Sequence, residues 1–196
     1  MKIFSLALLL AGGLLCSQCS KAPEVVPDPK PDYDQKSIEI MRAVSPAVVG
    51  DWTMRRVHIT AQWYNEGQHE LGIARDTVLQ DFATLSVQAA PAGHSSADPR
   101  YPYFTGLLRY HTKTYPVHFD LIARPQRVVD DKGPQAFFLF NANFPVGSRP
   151  FDPEEQLLRH LGLIGENFTL EVVPGQPRTM TWRGLSHGLS KIELEK

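Results

Sequence analysis

A chain of 196 residues, 42% of them hydrophobic and 10% aromatic, carries enough apolar surface to fill the core of one domain, which excludes disorder throughout. Its formal charge of -1, with Lys and Arg scattered rather than gathered in a run, lacks the electrostatic footprint of a nucleic-acid binder. Both cysteines, Cys16 and Cys19, stand near the amino terminus, so the rest of the chain has neither a disulfide framework nor a thiolate metal site and depends on packing.

Lys2 opens the chain with a positive charge, and Ile3 to Leu15 is apolar apart from Ser5, Gly12 and Gly13. Such a stretch is too short to cross a hydrocarbon layer of ~30 Å and reads as an export signal. Cys16 and Cys19 fall where that signal ends, followed by Ser20, Lys21 and a polar stretch with prolines at 23, 27, 29 and 31. The arrangement resembles a bacterial lipoprotein precursor, whose cysteine takes a diacylglyceryl group and becomes the first mature residue. The resemblance implies lipidation at Cys19, with Cys16 as the alternative, and a membrane partner reached through the anchor. An ordinary secretory signal with incidental cysteines is the competing reading. Residues 1–19 are thus the signal, 20–36 a proline-rich tether in extended conformations, and 37–196 the folded domain. The location implied is the bacterial cell envelope, as an outer-membrane lipoprotein facing the periplasm or the surface.

Apolar spacing over Ile38, Ile40, Met41 and Val44 predicts an amphipathic helix between Tyr33 and Val49, stopped by Pro46. The period then changes to two: Val57, Ile59, Ala61 and Trp63 alternate with polar residues, as in a half-buried strand. Trp52 and Met54 alternate in the opposite phase, which requires a bulge near Arg55 if both sets face inward. Further strands are predicted over residues 77–89, 103–110, 115–123, 135–144, 168–173, 179–184 and 190–195. Placing Tyr110 opposite Tyr115 also sets Leu108 against Val117, Gly106 against Phe119 and Phe104 against Leu121. In the last third, Val172 faces Met180 and Leu170 faces Trp182; Trp182 then meets Ile192 and Met180 meets Leu194. Connections this short make the sheet antiparallel. Asp152 as N-cap, Pro153 at the first helical position, Glu154 and Glu155, then Leu157, Leu158 and Leu161 before Gly162 mark one helix between the fifth and sixth strands.

Gly50-Asp51-Trp52 at the head of the first strand, followed by about eight antiparallel strands, is similar to a lipocalin-type calycin barrel. The layout resembles lipid-anchored lipocalin-like proteins of Bacteroidota, which also begin Cys-Ser-Lys. The resemblance implies a mostly β fold, an antiparallel eight-stranded barrel, with Gly50 and Trp52 in structural roles and Arg183, or Arg178, packed across Trp52 by a cation–π contact. A β-sandwich would also bury the alternating faces and stays open as the alternative.

There is no phosphate-cradling glycine loop and no His-Glu-x-x-His, and the seven histidines are dispersed. The reading is therefore non-enzymatic, with no catalytic residue, metal or cofactor. Aromatic residues are the densest feature, and alternation forbids Phe138, Phe140 and Phe144 from sharing a face with Phe137. Trp52, Phe104, Leu108, Val117, Phe119 and Trp182 are expected inside, either lining a cup for a small hydrophobic ligand or simply filling a core. An accessory or structural subunit of an envelope complex is the alternative function, and an uncharacterised hydrolase comes third.

Overall fold

The computed structural model describes residues 31–61, 66–91, 98–128, 133–143, 152–172, 178–186 and 188–196. The segment read as a signal, both cysteines, most of the expected tether, Trp63 and Phe144 lie outside them. Asp32 starts the compact unit: its carboxylate accepts hydrogen bonds from the amides of Asp34 and Gln35 at 3.1 and 3.0 Å and caps α1 (Tyr33–Val48). Residues 33–36, assigned to the tether from the sequence, are thus the first turn of a helix. Pro46 does not stop α1, which continues to Val48. Proline this near the end removes a single helical bond, and burial of Met41, Val44 and Val48 holds the last turns against the barrel.

Among the described residues ten strands follow: β1 (Gly50–Ile59), β2 (Thr77–Gln80), β3 (Thr84–Ala89), β4 (Tyr103–Tyr110), β5 (Lys113–Asp120), β6 (Ile122–Ala123), β7 (Ala136–Ala142), β8 (Glu166–Val172), β9 (Thr179–Gly184) and β10 (Leu189–Glu195). β2 and β3 are two halves of one stave along β1, and β5 and β6 are two halves of one stave along the following neighbour, β7. Each stave is antiparallel to the next, and β10 pairs back onto β1, which closes an eight-stranded barrel and removes the sandwich alternative. α2 (Glu66–Glu70) lies between β1 and β2, and α3 (Pro153–His160) between β7 and β8. The end of α1 adjoins the barrel rim at Gly50, while α2 and α3 lie at the opposite rim, beside the β4–β5 turn.

The register along β1 shifts between Met54 and Arg56, so Trp52 and Met54 point inward together with Val57 and Ile59, and Arg55 and Arg56 both point out. This is the bulge required by the two phases of the sequence. At the carboxyl end Leu170 faces Trp182 and Val172 faces Met180, while Ile192 faces Trp182 and Leu194 faces Met180, as the alternation predicts.

The β4–β5 hairpin is tighter than the sequence reading has it. Tyr110 pairs with Lys113, Leu108 with Tyr115, Gly106 with Val117 and Phe104 with Phe119, two residues from the expected register. The turn is His111-Thr112, with His111 at φ 50. A slip of two residues keeps every side chain on its face, so apolar patterning accepts either register. Gly106 is required here by close approach, since a Cβ at that position would lie 2.3 Å from the Ser86 carbonyl oxygen.

Candidate functional site

The six residues expected to line the interior are brought together there, and all are buried in one core cluster. Phe104 stacks on Phe119 at 5.4 Å between ring centroids. Trp182 is ringed by Phe138, Phe140, Phe168 and Phe119 at 4.9, 5.2, 5.7 and 6.4 Å. Their apolar surfaces are already buried against one another, in the manner of a small barrel filled by its own side chains. Phe137 points outward, with the Arg124 guanidinium 4.2 Å over its ring.

The cation on Trp52 is not the one the resemblance implies. Lys196 lies 4.5 Å over the indole, and its ammonium donates to the carbonyls of Ala47 and Val49 at 3.1 and 2.7 Å, just where α1 ends. The Trp52 indole N–H donates to Val48 O at 2.8 Å. Arg183 sits on the outer face of β9, 3.9 Å from Glu171, because the inward positions of that strand belong to Met180 and Trp182. The Arg178 carbonyl accepts from the Lys196 amide at 3.0 Å.

A groove of about 500 Å³ opens at the rim that carries α2 and α3. It exists because β4 turns back at Tyr110 while β2 runs on, leaving β2 paired with β1 alone among the described residues. Phe82 and Tyr110, with ring centroids 4.8 Å apart, form one wall. Leu157 and Leu161 of α3 form another, and Leu71 and Ile73, from the connection after α2, a third. Hydrogen-bonding groups converge on this apolar surface from Gln80, Asp81 and His111. The Asp81 amide bonds the Arg55 carbonyl at 3.0 Å; alternation along the ladder then turns the main-chain groups of Val78 and Gln80 toward the open edge.

Charged contacts fix α3 against the hairpin tip and so set the width of the groove. Lys113 bonds Asp152, the N-cap of α3, and lies 3.6 Å from Glu154; His111 Nδ1 is 3.0 Å from the same Glu154 carboxylate. The Lys113 hydrogen bond, reinforced by the Glu154 amide at 2.9 Å, holds the Asp152 carboxyl below the usual aspartate range. Asp152 in turn raises the Lys113 ammonium. Burial, followed by the Glu154 charge, pushes the Tyr110 hydroxyl up and keeps it neutral.

Of these residues, Tyr110, Leu157 and Leu161 were legible as apolar positions, but Leu71, Ile73 and Phe82 were missed. No element was predicted near Leu71, and an unbroken strand over residues 77–89 hides the break at Asp81, φ 46, that turns Phe82 to the groove. Among the described residues no group of three or more His, Cys, Asp or Glu is placed to hold a metal ion, and no helix is long and apolar enough to cross a membrane. No family model, curated protein or solved structure matches the chain.

Proposed function

We propose that the chain is a lipid-anchored envelope protein whose lipocalin-like barrel is a non-enzymatic binding module, taking a small hydrophobic molecule at the barrel rim rather than inside the barrel. One observation carries this reading: the groove bounded by Phe82, Tyr110, Leu157 and Leu161, whose volume of about 500 Å³ falls within the range of small-molecule sites. Its apolar walls suit the body of such a ligand, and His111, Gln80 and the open β2 edge suit a single polar head. The filled interior supports placing the ligand at the rim, since entry among the rings around Trp182 would require repacking a dense core.

The test is titration of the full chain with a fluorescent hydrophobic probe. Saturable one-to-one binding is expected, weakened at least about tenfold, ~1.4 kcal/mol, in half-buried wall variants Leu157→Asp and Ile73→Asp that retain the wild-type circular dichroism. Absence of saturable binding, or binding unchanged in both folded variants, removes the reading. The anchor has its own test: labelled palmitate should enter the chain, and Cys19→Ala should abolish the labelling.

The open edge of β2, with Val78 exposed beside it, favours a second reading in which an envelope partner adds a strand there. A partner recovered from gently solubilised membranes with the wild type, but not with Val78→Pro, would support it over the small molecule.

A further inference from the structure

The barrel wall lacks one rung. His118 pairs with Asn141, and Ile122 with Phe137, in a single register that would place Asp120 opposite Leu139, yet those two residues do not pair. The Asn143 amide bonds the Pro116 carbonyl, and the Arg124 amide bonds the Gln135 carbonyl, each at 2.8 Å. Even-numbered residues of the β5–β6 stave therefore turn their main-chain groups toward β7, and Asp120 is one of them. The Leu121 amide goes the other way, to Pro102 O at 3.0 Å. The main-chain groups of Asp120 and Leu139 thus face a seam where the ladder pairing between the two staves is interrupted.

A cleft of about 290 Å³ lies over this seam on the outer face of the barrel. His118, Asp120, Asn141 and Asn167 supply its polar lining, and Tyr103 and Phe137 flank it with rings. His118 Nδ1 is buried with no hydrogen-bond partner among the described residues, although the ring is held 5.9 Å from that of Tyr103. Asp120 is partly desolvated, which pushes its carboxyl up, with His118 opposing. A buried polar nitrogen and a missing main-chain rung at one place leave unusual hydrogen-bonding capacity for a sheet face.

The kind of ligand follows from this lining. No Lys or Arg is among the residues that line the cleft, and the nearby Arg124 guanidinium lies over the Phe137 ring, which disfavours a phosphate or sulfate; one partly desolvated carboxylate is a poor cage for a cation. Side-chain amides, a carboxylate and an imidazole offer donors and acceptors side by side, which hydroxyl groups match because each both donates and accepts. The Tyr103 ring at the edge of the cleft suits the C–H face of a saturated ring. The interrupted ladder presents peptide N–H and C=O groups, some of which an acetamido group can meet with its own N–H and C=O. We infer that this seam is a binding site for a neutral N-acetylated sugar, separate from the rim groove and independent of what binds there.

The experiment is saturation-transfer NMR on the full chain in detergent, with N-acetylglucosamine as probe and glucose as comparison, together with amide hydrogen exchange. Expected are saturable transfer to the acetamido methyl group, at least about tenfold weaker binding of glucose, and a similar loss in Asn167→Ala and His118→Ala at unchanged melting temperature. The Asp120 and Leu139 amides should exchange faster than those of His118 and Asn141, and slow down when the sugar binds. No transfer at about tenfold above a millimolar Kd, affinity unchanged in both folded variants, equal affinity for glucose, or full protection of the Asp120 and Leu139 amides in the free protein would each overturn the assignment.

Discussion

Replacing Gln135 with leucine should destabilise the barrel by about 2–4 kcal/mol. Gln135 is 7% exposed, and its side-chain amide acts as an additional strand residue. Its Nε2 donates to the Val172 carbonyl at 2.9 Å, and its Oε1 accepts from the Val172 amide at 2.8 Å, while its own main-chain N–H bonds Leu170 O at 2.9 Å. Leucine keeps most of the volume but strips both bonds, leaving a main-chain donor and an acceptor in a site where Val172 is only 8% exposed. Each such group costs about 1–3 kcal/mol when buried without a partner, and access of water at the strand end trims the sum. Urea unfolding at constant m value, with a melting point lowered by roughly 5–15 °C, is the expected readout. The Gln135→Glu variant refines the test: at neutral pH its carboxylate opposes the Val172 carbonyl, and protonation restores a donor, so its deficit should shrink as pH falls. A loss below about 0.5 kcal/mol for Gln135→Leu, or a Gln135→Glu deficit indifferent to pH, would refute the argument.

Lys196→Met should cost about 1–3 kcal/mol by removing the cation from Trp52 and two donors from the end of α1, read as a lower melting temperature, with Arg183→Met close to neutral in the same assay. Because the folded Asp152 carboxyl is held below its unfolded value, its contribution is present above that unfolded value of about 4 and is lost as pH falls through the folded one. Thermal melts between pH 6 and 3 should show that loss, and Asp152→Asn, which keeps a capping oxygen but no charge, should flatten this part of the curve. Asp120 runs the opposite way: its raised folded value costs stability as pH rises through it, so Asp120→Asn should raise the neutral-pH melting temperature. Gly106→Ala should lose about 1–3 kcal/mol in denaturant unfolding, since its Cβ would meet the Ser86 carbonyl oxygen at 2.3 Å and force β3 and β4 apart.

Local chemistry read in order along the chain was enough to establish the alternation of β1, with its bulge at Arg55, the pairings from Leu170 through Trp182 to Ile192, and α3 from Asp152 onward. Period-two patterning assigns each side chain a face, and cap residues announce a helix, so neither needs knowledge of distant partners. Absolute register is different: a two-residue slip conserves every face, and Tyr110 finds Lys113 rather than Tyr115 where Lys113 also reaches across to Asp152. Three-dimensional assembly likewise put Lys196 instead of Arg183 on Trp52, carried α1 past Pro46, and set Phe82, Leu71 and Leu157 around one groove. Each of those outcomes depends on contacts between segments far apart in the chain, whose free energies outweigh the local preferences that composition and spacing record.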